Sequence, residues 1–462
     1  MHGMARVAPL SGFPEWLPAG RVVEHHIIDV LTSTFELYGY AGIETRAVEP
    51  VESLLSKGET SKEIYLLRRL QDAGDAAAPG SDSPLGLHFD LTVPFARYVA
   101  ENSGKLTFPF KRHQVQKVWR GERPQDGRFR EFTQADIDVV APGELPAHYE
   151  VEVPVVMAAA FERLREVGVP PARISVNNRR VSQGFYEGLG IEDVDGTLRV
   201  IDKLDKIGPQ GVLAALQAEV GATQAQAQAC LRLAEIVAED ASVADRVLAL
   251  GVRTPLLEQG LEELVRLVEG AASQVPGVVV ADLKIARGLD YYTGSVYETT
   301  LLGHENLGSI CSGGRYDSLV DDGNTTYPGV GMSLGVSRLV SRLLRDELVR
   351  PSRSVPTAVL VAVVDEETRD RSDAIARRLR ARGIPTEVAP VAAKFGKQIR
   401  YADRRDIPFV WFPGAGVGDD GECGDGDVKD IRSGDQVAAD ADSWQPPADD
   451  LQPRVVPAGG PR

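Results

Sequence analysis

Hydrophobic and polar positions recur along this chain with two different periods, and each change of period marks an element. Val23, Ile27, Val30, Leu31, Thr34 and Tyr38 return at helical spacing over residues 21–38, with Pro18 before them and Gly39 after, which predicts a helix. Residues 43–48 read as a following strand, closed by Glu49 and Pro50. Over residues 87–98 the period becomes two. Leu87, Phe89 and Leu91 alternate with His88, Asp90 and Thr92, which predicts a strand that Pro94 stops. Residues 117–119 and 132–139 are strand-like as well, and Pro124-Gln125-Asp126-Gly127 between them carries turn chemistry, so a hairpin is predicted.

The helical period returns over residues 146–167, with Pro154 as a possible kink. A succession of helical patterns broken at Gly208-Pro209 and Gly251 then reads as a helical insertion, residues 191–272, between two parts of one core, residues 1–190 and 273–350. Sheet character resumes at 278–296. Beyond a linker at 351–356, strands at 358–364, 386–389 and 409–412 alternate with helices at 367–382 and 396–406, which predicts a small α/β domain with parallel pairing over residues 351–445. Residues 71–84 read as a surface loop, the acidic residues 414–427 as a mobile loop, and the Pro-rich residues 446–462 as a disordered tail.

Composition narrows the function. A chain of 462 residues accommodates two or three domains, each with its own core. With 43% apolar and 26% charged residues, and no run near the roughly 18 apolar residues of a membrane span, the chain reads as an ordinary globular protein with no membrane partner. Its first residues show no apolar segment followed by a cleavage signal, so a cytoplasmic location is expected. The three cysteines, Cys230, Cys311 and Cys423, lie too far apart for metal-ligand spacing, and no protein metal site is expected. A net charge of −16 argues against DNA as a partner. The charge is uneven, however. Residues 414–450 hold eleven acidic residues against two basic, whereas residues 394–405 hold five basic and one acidic, a local patch able to dock a polyanion.

The candidate chemistry sits on the hairpin. Arg120, Arg123, Arg128 and Arg130 crowd its tip, and permanently ionised guanidinium forks suit phosphate oxygens; a solvated hairpin with surface ion pairs is the alternative. On the descending strand Gln134, Asp136 and Asp138 share one face, opposite the apolar Ala135, Ile137 and Val139, which suggests a pocket for a small polar or cationic ligand. Asp90 and Thr92, two residues apart, could jointly hold an ammonium group, or form the exposed polar face of an edge strand. Further on, Arg287-Gly288-Leu289-Asp290-Tyr291-Tyr292-Thr293-Gly294 joins a fixed positive charge to two tyrosines and to glycines that admit a close approach. Small residues over 329–335 lead into a helix carrying Arg338, which suits adenine or phosphate. No P-loop spacing is present.

These residues carry a resemblance. The run from Arg120 to Gln134 resembles motif 2 of class II aminoacyl-tRNA synthetases in the form found in histidyl-tRNA synthetases. Residues 287–294 and 313–317 resemble the two histidine-specific signatures of that family, residues 335–339 its motif 3, and residues 394–403 its C-terminal anticodon-binding domain. The resemblance implies an α+β catalytic core, with an antiparallel sheet flanked by helices, plus a helical insertion and a C-terminal α/β anticodon-binding domain, acting as a homodimer. It also implies ATP and Mg²⁺, L-histidine and histidine tRNA as substrates and partners, with formation of histidyl-adenylate followed by transfer to the tRNA.

Carried over by position, Arg120 and Arg287 meet the α-phosphate, Glu122 the adenine, Arg128 the γ-phosphate and Arg338 the triphosphate and adenine. Asp90 and Thr92 meet the α-amino group, Gln134 the carboxylate, and Asp138, Tyr291 and Tyr292 the imidazole. Arg123 and Gln125 meet the tRNA acceptor end. The chain departs from the pattern at Arg46, where motif 1 usually has proline, and at Ser337, where motif 3 usually has an acidic residue; Asp90 and Asp138 are shorter than the glutamates of many relatives. A non-catalytic paralogue, the histidine-sensing regulatory subunit of ATP phosphoribosyltransferase, is the alternative. That subunit lacks the anticodon-binding domain.

Overall fold

The structure, a computed structural model, describes residues 8–55, 63–70, 84–125, 127–286, 291–414 and 425–459. The chain forms two compact units, one of residues 1–14 and 27–342 and the other of residues 15–26 and 343–462.

A nine-stranded sheet organises the first unit. Across it run Ala41–Gly42, Phe110–Trp119, Glu131–Val140, Gly329–Gly335, Cys311–Tyr316, Ser295–Leu301, Ala172–Asn178, Val279–Asp282 and Val237–Ala238. The inner pairings are antiparallel, whereas Ala41–Gly42 and Val279–Asp282 lie parallel to their neighbours Phe110–Trp119 and Ala172–Asn178. The hairpin is longer than its sequence suggests, pairing from Phe110 with Val140 to Trp119 with Glu131. Residues 110–116 escape a hydrophobic-pattern reading because Arg112, Gln114 and Gln116 put polar groups on a buried face. Gln125 and Arg128 exchange backbone hydrogen bonds of 2.9 and 3.2 Å across the tip, and Gly127 takes the positive φ of +68° that such a tight reversal requires.

Helices cover the sheet. His148–Arg165 runs through Pro154 and buries Val153, Val156, Met157, Ala160, Phe161 and Leu164. Pro255–Ala272 starts from Thr254, whose side chain accepts the Leu257 amide at 3.1 Å, with proline in the first turn where no donor is lost. The segment 191–272 is mainly helical, and its short strand Val237–Ala238 forms one edge of the sheet.

Two local expectations are overturned here. Residues 43–48 are not one strand: Ala41–Gly42 and Val48–Pro50 belong to different sheets, and the residues between are held from the side, with Ile43 N–H donating to His113 O at 3.0 Å and Gln114 Nε2 to Thr45 Oγ1 at 2.9 Å. Nor does a strand hold Asp90 and Thr92. Leu85–Leu87 ends before them, and Thr92–Asn102 is a helix in whose first turn Pro94 sits. Asp90 Oδ1 accepts the Val93 amide at 3.2 Å, so the pair reads as a helix start: a carboxylate on an orphan N–H, and a proline where none is needed.

In the second unit the five strands run Thr386–Val388, Val359–Val361, Phe409–Pro413, Gly426–Asp430 and Gln436–Ala439, the first three parallel and the rest antiparallel. Val359 and Val361 join one core with Ile375, Leu379 and Trp411, whereas Leu360 and Ala362 join a second with Ala402, Ile407 and Val410. Burial on both faces explains the unbroken apolar run there.

The C-terminal segment is not a disordered tail over its described length. Ala448–Leu451 is helical, and Val455–Pro457 pairs antiparallel with Val349–Pro351, residues taken in part for linker. Trp444 packs edge-on against Trp411 and Phe409, with ring centroids 5.7 and 5.3 Å away, while Arg432 forks onto Asp450 at 2.8 Å. Residues 426–427, assigned to the acidic loop, belong to a strand, and residues 415–424 lie outside the described residues.

Candidate active site

Two cavities open on one face of the nine-stranded sheet and share Arg120, Gln134, Ser312 and Ser333. One, of about 360 Å³, takes Glu122, Arg128 and Arg338 from the hairpin loop and the helix after Gly335. The other, of about 400 Å³, takes Asp90, Thr92, Asp136, Asp138, Tyr291 and Tyr292. They form a cleft with a basic compartment, an acidic compartment and Arg120 at the junction.

The basic side is fixed by backbone. Arg120 N–H donates to Arg130 O at 2.8 Å, its Nε donates to Phe89 O at 3.1 Å, and its guanidinium carbon lies 5.2 Å from the centre of the Phe132 ring. Glu63 stands 4.0 Å away, its carboxyl pushed up by burial and by Glu122 against the pull of Arg120. Arg338 donates to Leu307 O and passes Gly127, where an added Cβ would lie 3.4 Å from its Cγ. Ser337 accepts the Thr133 amide through Oγ at 2.9 Å. The hydroxyl thus ties the Arg338 helix to the hairpin.

The acidic side is a grid of rungs. Arg112, Asp138 and Gly331 stand in register across three strands, as do Gln114, Asp136 and Ser333, and Gln116, Gln134 and Gly335. Arg112 is fully buried and donates from Nη2 to Asp138 Oδ2 at 2.6 Å, with Asp136 Oδ2 3.9 Å away and the Phe95 ring centre 4.4 Å away. Asp138 Oδ1 accepts the Tyr316 hydroxyl at 2.9 Å. Gly331 makes room for this carboxylate, since a Cβ there would fall 2.1 Å from Asp138 Oδ1. Burial pushes the Asp136 carboxyl up to about 7 despite Arg112, and Asp138 adds to the rise.

The tyrosines are held from behind. Thr293 Oγ1 donates to Asp317 Oδ2 at 2.7 Å, Arg315 bridges Asp317 at 3.0 Å and Glu150 at 2.7 Å, and Ser295 Oγ donates to Glu150 at 2.6 Å. This network anchors the chain immediately after Tyr291 and Tyr292, whose rings lie 4.1 Å apart.

Ten of the thirteen residues singled out from the sequence line the cleft: Asp90, Thr92, Arg120, Glu122, Arg128, Gln134, Asp138, Tyr291, Tyr292 and Arg338. Arg123 and Gln125 lie exposed on the hairpin loop outside both cavities, and Arg287 lies outside the described residues. Sequence reasoning missed Arg112, Ser333 and the hydroxyl of Tyr316. It placed Asp136 on the right face without a role. The period-two row Arg112, Gln114, Gln116 was the available signal for the first of these.

Comparison with known proteins agrees over nearly the whole chain. The histidyl-tRNA synthetase family profile matches residues 12–339, and an anticodon binding domain profile matches residues 358–442. A protein named histidine--tRNA ligase from Bifidobacterium animalis subsp. lactis is 59% identical over 453 residues, covering 96% of this chain and 97% of its own. One of the same name from Cutibacterium acnes is 57% identical over 454 residues, covering 98% and 99%. The crystal structure of histidyl-tRNA synthetase from a Nostoc species superposes with a TM-score of 0.83 at 35% identity, covering 95% of this chain and 98% of that one. With this similarity over both units, the chain belongs to the histidyl-tRNA synthetase family.

Proposed function

We infer that this protein is a histidine–tRNA ligase: it activates L-histidine with ATP to histidyl-adenylate and pyrophosphate, then transfers histidine to the terminal adenosine of histidine tRNA. The observation that carries the reading is the two-compartment cleft with Arg120 at its junction. A basic chamber for a triphosphate and an acidic chamber for an amino acid meet where their reacting groups must meet.

In the reaction the histidine carboxylate attacks the α-phosphate, an O–P bond forms, the bond to the β-phosphate oxygen breaks, and pyrophosphate leaves in line. Charge accumulates on the α-phosphate oxygens. Arg120 and Arg287 are proposed to stabilise it, with no side-chain nucleophile, by positioning and electrostatics. Support for Arg120 is its place between the compartments and its anchorage to Phe89 O. Glu122 is assigned to the adenine, Arg128 to the γ-phosphate and Arg338 to the triphosphate and adenine, all three on the basic cavity. Asp90 and Thr92 are assigned to the α-ammonium, Gln134 to the carboxylate, and Asp138, Tyr291 and Tyr292 to the imidazole wall. Arg123 and Gln125, exposed beside the basic chamber, are assigned to the acceptor end of the tRNA.

Magnesium is proposed to enter with the triphosphate as part of the substrate. Its coordination is proposed to come largely from phosphate oxygens and water, as is usual for this ion with phosphate substrates. A homodimer and a cytoplasmic location are proposed from the family resemblance; no helix among the described residues is long and apolar enough to cross a membrane. The regulatory-paralogue alternative is less supported, because such a subunit lacks the anticodon-binding domain matched by residues 358–442.

The test is amino-acid-dependent ATP–pyrophosphate exchange by the purified chain with each of the twenty amino acids, without tRNA. Exchange with histidine alone is expected. Histidine binding without exchange would favour the regulatory alternative.

A further inference from the structure

The helix Arg179–Gly188 carries none of the motifs that point to the family, yet it stands between the loop after Tyr291 and Tyr292 and the last helix of the insertion, Pro255–Ala272. On the loop side, Arg179 N–H donates to Gly294 O at 2.8 Å. On the insertion side, the two helices meet backbone to backbone at two glycines. An added Cβ on Gly260 would fall 2.6 Å from Val181 N, and one on Gly184 would fall 2.5 Å from Leu257 N. Packing this close leaves one helix no slack to slide on the other.

Arg180 joins the same elements through its side chain. Its Nη1 donates to Glu263 on the insertion helix, and its Nη2 lies 4.0 Å from Asp317 Oδ2. Asn178, fully buried, accepts the Arg180 amide at 2.9 Å and donates from Nδ2 to Glu263 Oε2 at 2.8 Å. Asp317 is the carboxylate that accepts Thr293 Oγ1 and Arg315 Nε, and Arg315 in turn reaches Glu150. Among the described residues, three carboxylates, Glu150, Asp317 and Glu263, thus share two guanidiniums, Arg315 and Arg180. A partly buried set of this kind has no spare cation, so loss of Arg180 leaves Glu263 without its charge partner and Asp317 dependent on Arg315 alone.

We propose that Arg180 is a positioning residue for histidine activation: it locks Asp317, and through Thr293 the segment of Tyr291 and Tyr292, against the insertion helix, so that the insertion helps to set the shape of the acidic compartment. The assignment rests on the histidine-activating function above. Arg180 lines neither cavity of the cleft and acts only through its neighbours. Its loss frees Asp317 and Thr293 to shift, and the paired tyrosine rings shift with them. The basic compartment is built from the hairpin and the Arg338 helix and stays in place. Binding of histidine is therefore weakened selectively.

The experiment measures ATP–pyrophosphate exchange by the full-length wild type, Arg180→Met, Arg180→Lys, Glu263→Gln and the double variant Arg180→Met with Glu263→Gln, with KM for histidine and KM for ATP determined separately. Circular dichroism checks that each variant is folded, and Arg180→Lys and Glu263→Gln decide the matter should the methionine variants collapse. Glutamine at 263 cannot accept from both Arg180 and Asn178, because one of its two terminal atoms is a donor. Expected are a rise of about three- to tenfold in KM for histidine in Arg180→Met, an ATP KM within about twofold of wild type, and a smaller rise in Glu263→Gln. Arg180→Lys should recover part of the loss, and the double variant should be no worse than Arg180→Met alone, as for two residues acting through one contact. An unchanged histidine KM, equal rises in both KM values, no recovery with lysine, or additive effects of the two substitutions would overturn the assignment. Absence of histidine-dependent exchange in the wild type would instead overturn the functional reading beneath it.

Discussion

Arg112 shows how much of this site depends on a residue that touches no solvent. Its guanidinium is fully buried, bonded to Asp138 and stacked 4.4 Å from the Phe95 ring centre. Removing one partner of a buried ion pair leaves the other charge stranded, whereas removing both leaves a smaller defect. Arg112→Met is therefore expected to destabilise the first unit by about 3–5 kcal/mol. Arg112→Met combined with Asp138→Asn should recover a substantial part. Calorimetric unfolding of the two variants beside wild type checks this, and a single variant as stable as wild type would remove Arg112 from its neutralising role. The residue was hard to find from sequence for a physical reason. Binary patterning detects strands with one apolar face, and residues 110–116 belong to a strand whose cleft-side face is polar although buried.

At the scale of elements, the cleft floor depends on where the sheet omits side chains. Gly331 leaves space for Asp138, and Gly314, one strand further on, lies under Tyr292, where an added Cβ would fall 2.7 Å from Cδ1 of the ring and 2.8 Å from Ser295 O. Backbone on one side means that the ring must move. Gly314→Ala is expected to raise KM for histidine several-fold while leaving KM for ATP near wild type, because Arg120, Arg128 and Arg338 are approached from other elements; parallel rises in the two constants would contradict it. Elements differed in how legible they were. The Arg120–Gln134 hairpin announced itself through turn residues and flanking alternation. The Asp90–Thr92 segment did not, because a carboxylate that caps a helix and a proline in its first turn look, in a linear pattern, like the end of a strand. Position in the cleft was legible where element type was not. Both side chains line the acidic compartment, although a bend and a helix start carry them there.

For the whole molecule, the division into two units separates two kinds of failure. The cleft lies within the first unit, whereas the match to an anticodon binding domain lies within the second. Composition suggested disorder over residues 446–462, yet Arg353 Nη2 donates to Leu451 O at 3.1 Å and Arg432 forks onto Asp450 at 2.8 Å, while the residues just before are tied down by Trp444 against Trp411 and Phe409 and by Arg382 Nη1 donating to Ala441 O at 2.8 Å and Trp444 O at 2.7 Å. Proline and aspartate content misleads when a single aromatic side chain and a few arginine-to-carbonyl bonds supply the order. Trp444 is only partly buried, so Trp444→Ala is expected to destabilise the second unit by about 2–4 kcal/mol, at or below the range for a fully buried aromatic. Because none of the described residues lining the cleft belongs to that unit, histidine-dependent pyrophosphate exchange should survive the substitution while charging of histidine tRNA falls. Exchange and charging that decline in proportion would mean that the second unit is needed for the chemistry of the first.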